Sequence, residues 1–440
     1  MKRLINWFKG ELDSDTLILW LHGAAGAGKS AIAYTIAEIC EKDGLLLATF
    51  FFWKTAAERN NINRFVATIA YQIACAILVL RPLIDDAVLS NPMLFQKSID
   101  AQLLKLIIEP LKRLHSTGFD FKDSPFVIII DGLDECQGND VKAGLVKSLA
   151  AAFCHSPLRI RILIASRPEV YLQSTFNSSL VEPHLSRLAL SDEYSPKEDI
   201  YQFLKDSFET IRREHPLASY IPFSWPSADV LHELTRKSSG QFIFASTTLK
   251  YIGGDPHQLP HRRLDVIRRL QPPKGEEDMP YVELNSLYHH VLSNVNNVEA
   301  IKQILGVLII LNPKLGHYLI DLIDKMDNFF FWQPGEAKAC LSQLASIIKC
   351  DTDGRISVLH ASLSDFLLDP SRSNQFYLCQ ESILGDYAAL GLRHLHQQWL
   401  DTDGVSILAS SLQEAYFRVL ICNVFYSRFQ VLPLGQCTMY

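Results

Sequence analysis

The sequence predicts an α/β fold: a three-layer α/β/α parallel sheet, followed by a helical domain, a winged-helix domain and further helices. Three observations predict it. Short apolar runs alternate with stretches of helical spacing between residues 17 and 190, the pattern of a parallel sheet covered on both faces. The first apolar run leads directly into a glycine loop and a helix-like segment. Beyond Ser191 the strand-like runs give way to amphipathic helices and one short strand pair.

Residues 17–21 (LILWL) read as the first strand and 31–39 as the helix after it. Residues 45–52 (LLLATFFF) suit a strand buried on both faces. Helical spacing covers 62–80 and 99–114, with Ser98 and Asp100 as candidate N-caps of the second. Residues 126–130 form another buried strand, 140–153 a helix, 159–165 a fourth strand and 185–190 a fifth. A helix is predicted over 196–214, with Ser195 at the N-cap and Pro196 at the first position. Amphipathic helices follow at 227–237, 242–252 and 260–270, punctuated by Ser238-Ser239-Gly240 and Gly253-Gly254-Asp255-Pro256. After a polar break at 271–279, helices resume over 284–311, and Asn312-Pro313-Lys314 is expected to stop that run. Helices at 318–325 and 337–348, then strands at 347–350 and 356–359 joined by the turn at 351–354, outline a winged helix. Residues 381–425 read as helical, and 430–440 show no pattern. The expected divisions are an α/β core at 1–192, a small helical domain at 193–275, a winged helix at 276–375 and a C-terminal helical segment at 376–440.

The chemistry sits in three places. Gly23-Ala24-Ala25-Gly26-Ala27-Gly28-Lys29-Ser30 matches G-x-x-x-x-G-K-[ST], a loop whose backbone N–H groups cradle phosphate at a helix N-terminus. Lys29 is expected to reach the β- and γ-phosphates and Ser30 to bind Mg²⁺, with Ala31 beside them opening the helix. The strand at 126–130 ends in Asp131-Gly132-Leu133-Asp134-Glu135. Asp131 is placed to hold Mg²⁺ through water. A second acid must orient or deprotonate the attacking water. Gly132 occupies the position where many ATPases carry that glutamate, so Asp134 and Glu135 are the candidates. Arg167, in Ala165-Ser166-Arg167-Pro168, is positioned to sense the γ-phosphate or to stabilise charge building on it.

Composition narrows the classes. Hydrophobic residues make up 48% and charged residues 20%, enough to bury a sizeable core. A formal net charge of −6 argues against a nucleic-acid surface. The nine cysteines are scattered without C-x-x-C spacing, which argues for a reduced compartment and against a disulfide frame or zinc knuckle. Met1-Lys2-Arg3 is followed by an apolar stretch too brief for a secretory signal, and Glu11 brings an acid early. The most membrane-like stretch, 66–80, is short and contains Gln72, so a buried helix is expected. A cytoplasmic location without a membrane span is the resulting expectation.

With GAAGAGKS, FVIIIDGLDEC and RILIASRPE in place, and with Ser239-Gly240-Gln241-Phe242-Ile243-Phe244-Ala245 opening a helix, the chain resembles NACHT-domain proteins. These are signal-transducing P-loop NTPases of the STAND class, and the wording is similar to the NACHT families abundant in fungi. The resemblance runs from about Leu17 to about Leu368. It implies ATP/ADP or GTP/GDP as ligand, Mg²⁺ as cofactor, slow hydrolysis, and self-oligomerisation in the triphosphate state. It further implies that a winged-helix histidine contacts the β-phosphate, for which His360 is the matching position, and that a proline near the winged helix lies against the base, for which Pro313 is the candidate. The family's N-terminal effector domain and C-terminal repeats have no counterpart in this sequence, so a shortened member or an incomplete gene model is expected. Two functions stand side by side: a hydrolysing nucleotide switch, and a scaffold or interaction module that binds nucleotide without turning it over. A DNA-binding winged helix is disfavoured, because no Lys/Arg-rich recognition helix stands out near 361–368.

Overall fold

The computed structural model describes residues 2–13, 15–118, 126–154, 160–190, 196–270, 281–315, 323–351 and 354–401. Five parallel strands form its main sheet: β1 (Ile18–Gly23), β2 (Leu46–Phe51), β3 (Phe126–Asp131), β4 (Ile160–Ser166) and β5 (Leu185–Leu190). Their order is β2-β3-β4-β1-β5, so β4 lies between the strand that leads into the glycine loop and the strand that ends in Asp131.

Strand side chains alternate between two buried layers, which is why these runs are apolar throughout rather than at every second residue. Ile18, Trp20, Ile128, Ile130, Ile162 and Ile164 enter one core. Leu19, Leu21, Val127, Ile129, Leu163 and Ala165 enter the other. The second core is covered by α1 (Lys2–Phe8) and α2 (Lys29–Lys42) through Leu4, Trp7, Phe8, Ala33 and Ile36. The first is covered by α3 (Phe65–Ala76), α4 (Arg81–Ser90), α5 (Ile99–Leu103), α6 (Glu109–Ser116), α7 (Asn139–Phe153) and α8 (Val170–Phe176). Helices α9 (Pro196–Glu214), α10 (Ala228–Lys237), α11 (Phe242–Gly253) and α12 (Pro260–Arg269) follow.

The chain forms two compact units, Met1–Leu264 and Asp265–Tyr440. The second contains α13 (Val282–Ser293), α14 (Val298–Gly306), α15 (Asn312–Leu315), α16 (Ile323–Phe329), α17 (Glu336–Ser342), the antiparallel pair β6 (Ile348–Cys350) and β7 (Ile356–Val358), α18 (Ala361–Leu367), α19 (Pro370–Ser373) and α20 (Gln380–Asp401). Helix, helix, hairpin and helix thus occur in the expected sequence. No single described helix is long and apolar enough to cross a membrane.

Several expectations are corrected. Asn312-Pro313-Lys314 does not stop its helix. The chain passes from α14 through a π-turn, Val307–Leu311, into α15. Pro110 stands in the same relation to the π-turn Leu104–Ile108 that joins α5 to α6. A π-turn widens the helix where a proline ring would strike the preceding carbonyl, so the axis continues. Ser98 caps α5, its hydroxyl accepting from the Ala101 N–H at 3.4 Å, and Asp100 lies inside the first turn. The helix expected over 62–80 runs from Phe65 to Ala76 and tightens to 3-10 at Leu78–Leu80, and the one expected over 337–348 ends at Ser342. Ser195, the break at 271–279, residues 318–322 of the expected helix at 318–325, and the segment beyond 401 lie outside the described residues.

Helix α1 is part of the core rather than an appendage. Trp7 is 1% exposed, its indole N–H donates to Thr16 Oγ1 at 2.8 Å, and the Arg161 guanidinium lies 4.6 Å from its ring centre. Arg161 also donates to the Trp7 carbonyl. Trp7→Ala is therefore expected to destabilise the first unit by about 3–5 kcal/mol, the usual loss for an emptied aromatic site. Urea denaturation followed by circular dichroism measures it, and an unchanged midpoint would show that α1 does not belong to this core.

Candidate nucleotide site

Every expected catalytic, phosphate-binding and metal-binding position except His360 belongs to the first unit, at the C-terminal ends of β1, β3 and β4 and in the loops that follow. That edge of a parallel sheet is where such folds bind ligands, because the loops there are not needed to hold the sheet. Gly23 closes β1 and Gly28 is the N-cap of α2, so the loop hands its backbone to the helix N-terminus. Lys29 opens α2, and its ammonium donates to the Gly23 and Ala24 carbonyls at 2.9 and 2.8 Å. Burial lowers its pKa; the carboxylates of Asp134, Asp131 and Glu135 oppose that shift and Arg167 adds to it. These five side chains therefore share one electrostatic environment. Ser30 and Ala31 occupy the exposed first turn of α2.

Gly26 shows why this loop takes no other residue at that point. Its φ is +76°, and a Cβ there would fall 2.2 Å from Ile243 Cγ2. The start of α11 thus rests on the phosphate loop, with Phe242 beside Gly28.

The acid-bearing strand ends at Asp131, 4% exposed, where the Ser30 side chain is one of the influences that favour its charged form. Burial is the largest influence on its carboxyl and pushes it up to about 6, against the pull of Ser30 and Lys29. Gly132 then turns the chain with φ +67°, and a Cβ there would sit 3.0 Å from the Phe52 carbonyl oxygen. A side chain at this position would press on that backbone, and the next acids along the chain, Asp134 and Glu135, lie in the 3-10 turn Leu133–Glu135.

Within that turn the two acids have different partners. Asp134 is committed to Arg167: its Oδ2 lies 3.1 Å from Arg167 Nε, and its Oδ1 accepts from the Arg167 backbone N–H at 3.0 Å. Glu135 accepts from the Lys54 backbone N–H at 2.9 Å through Oε2. Burial, reinforced by Asp134 and Asp131, pushes its carboxyl up to about 7. Arg167 is further tied to β1: Trp20 Nε1 donates to Ser166 Oγ at 2.8 Å, and Ser166 Oγ donates to the Arg167 carbonyl at 3.1 Å. Half-buried His22, whose ring lies 4.3 Å from that of Trp20, has its pKa lowered by burial and then by Arg187 and Lys29. A mouth that resists one more positive charge is suited to an anion.

Lys54, His22, Ile243 and Phe242 were not among the sequence candidates. Lys54 contributes a backbone N–H, which leaves no mark on residue type. Phe242 and Ile243 lie in the SGQFIFA stretch, whose residues point to them but not to the loop they touch. His360 belongs to the second unit, half-buried at the N-cap of α18. Among the described residues no group of three or more His, Cys, Asp and Glu is arranged to hold a metal.

Over residues 2–167 the chain matches the family model described as Nephrocystin 3, N-terminal. No curated protein matches it. Among solved structures it is similar to the Drosophila ORC bound to DNA, at 12% identity and a TM-score of 0.35 over 79% of this chain and 80% of that one. It is similar to Cdc6p from Pyrobaculum aerophilum at 14% identity and a TM-score of 0.35, over 82% of this chain and 89% of that one. The Aeropyrum pernix ORC1 protein in complex with DNA gives 11% and 0.34 over 82% and 89%. Likenesses this distant carry no functional assignment. Glycine loop, acid-bearing strand and parallel sheet together have the arrangement of a P-loop fold.

The raised carboxyls give a signed pH dependence. Glu135 binds its proton more tightly folded than unfolded, so its contribution to stability is complete below about pH 4.5 and is lost as pH rises through about 7. Glu135→Gln cannot ionise. It is expected to match the parent near about pH 5 and to exceed it near about pH 8 by on the order of 1–3 kcal/mol. Parallel denaturation curves at the two pH values measure this, and equal differences at both would show that Glu135 titrates like a solvated carboxyl.

Proposed function

We propose that the chain is a nucleotide-dependent switch of the NACHT/STAND type, which binds ATP or GTP with Mg²⁺ and hydrolyses it slowly. The observation that carries the reading is the convergence of Lys29, Asp131, Glu135 and the Asp134–Arg167 pair beside the glycine loop. Mg²⁺ fits the residues present: a hydroxyl and a carboxylate supply hard oxygen donors, and a cation beside Asp131 would favour the charged form that burial, pushing its carboxyl up to about 6, opposes. Ser30 and Asp131 would hold the ion, which when bound neutralises charge on the phosphates. Lys29 supplies a positive charge to the phosphates, and the α2 N-terminus adds its dipole. Glu135, with a carboxyl near neutrality, is suited to accept a proton from water. Asp134 acts on Arg167, holding the guanidinium until a γ-phosphate competes for it. The NACHT resemblance assigns His360 to the β-phosphate, and we carry that assignment, the base contact of Pro313 and triphosphate-driven self-oligomerisation as proposals.

A scaffold that binds nucleotide without turnover is the second reading. It is favoured by the double engagement of Asp134 and by Gly132 at the position of the usual glutamate. Lys29→Ala is expected to weaken binding of either triphosphate by about 100-fold, the loss of a charged contact to phosphate. Calorimetry measures this, and retained affinity would remove the loop from the site. Single-turnover release of phosphate separates the two readings: release that is slow in the parent and lost in Glu135→Gln supports the switch, whereas none above background leaves the scaffold.

A further inference from the structure

Behind the acid turn lies a buried cation that the site description does not use. Lys142 is 6% exposed and sits one turn into α7, near the positive end of that helix dipole. A buried charge needs partners, and Lys142 has several. Its Nζ donates to the Asp134 carbonyl at 2.8 Å and to Tyr171 Oη at 2.6 Å, and lies 3.8 Å from Glu169 Oε2. The Tyr171 hydroxyl in turn donates to Glu169. The ammonium also lies 5.0 Å from the centre of the Tyr171 ring.

These contacts join two segments that face each other across the Asp134–Arg167 pair. On one side is the turn Leu133–Glu135, and on the other the stretch Arg167-Pro168-Glu169-Val170-Tyr171. The front of the junction is the ion pair; the back is Lys142. We propose that Lys142, with Tyr171 and Glu169, is a positioning residue of the nucleotide site. It fixes the backbone of Asp134 against the Arg167 segment and so sets where the guanidinium stands when a triphosphate is bound. The proposal rests on the nucleotide reading above.

The test is the ratio of dissociation constants for a diphosphate and a hydrolysis-resistant triphosphate analogue, measured on the full chain with adenosine and guanosine forms. It needs no turnover. Lys142→Met is expected to reduce triphosphate preference by about tenfold, the lower range for a residue acting through a site group. Diphosphate affinity should stay within about twofold of the parent. Arg167→Ala should reduce the preference similarly, and the double variant should fall no further than Arg167→Ala alone, since both changes disable one device. Tyr171→Phe, which keeps the charges, should move the ratio in the same direction by less and serves if Lys142→Met does not fold. A parental ratio in folded Lys142→Met or Tyr171→Phe overturns the proposal, as do effects that multiply in the double variant or an Arg167→Ala without effect. A parent that binds neither nucleotide, no differently from Lys29→Ala, brings down the nucleotide reading and this proposal with it.

Discussion

The pairing of Asp134 with Arg167 is the constraint around which the rest of the site is arranged. It depends on strand order. β3 and β4 are neighbours in parallel register, from Phe126 opposite Ile160 to Ile130 opposite Ile164, so their tips end level and the residues just beyond them meet. Both Asp134 oxygens are used, one on the guanidinium and one on the backbone N–H, which fixes the direction in which Arg167 leaves β4. Glu135, next in the chain, is turned to the Lys54 N–H on the β2 side. Two adjacent acids therefore face two different neighbouring strands. The left-handed step at Gly132, pressed against the Phe52 carbonyl, makes that division geometrically available.

Charge is distributed around this pair in a way that burial alone would not allow. Asp131, Glu135 and Lys29 are each drawn toward their neutral forms by burial; Lys29 opposes that at Asp131 and the carboxylates oppose it at Lys29, whereas at Glu135 the neighbouring acids reinforce it and the Lys54 N–H and Arg167 oppose it. Removing any one changes the balance for the rest, because interactions in a low-dielectric pocket are long-ranged and coupled. Such perturbed groups gathered in one place are a mark of functional sites.

Much of the fold was readable because the strands are buried on both faces. A run such as FVIII has no polar alternative, and the strand Leu185–Leu190 has the same limits in sequence and structure. Helix α4 was missed because only Ile84 in RPLIDDAVLS is buried, which leaves little periodic signal. The continuation through Pro313 was missed because a π-turn is set by backbone geometry and has no residue signature. At the site, contiguous motifs were legible. Asp134 was read as a water-orienting acid because its partner lies 33 residues away in sequence. The Lys54 N–H was invisible for a different reason: any residue but proline supplies it.

The bond from Trp20 to Ser166, and from Ser166 to the Arg167 carbonyl, has an optical consequence. Trp20 is 3% exposed and stacked on Phe176 at 4.3 Å, so its indole is shielded from water while its N–H touches the segment that carries the arginine. Indole emission responds to the field and hydrogen bonding at that N–H. Displacement of Arg167 by a phosphate would therefore be written into the protein's own fluorescence, without a label, from a ring that lies inside the sheet.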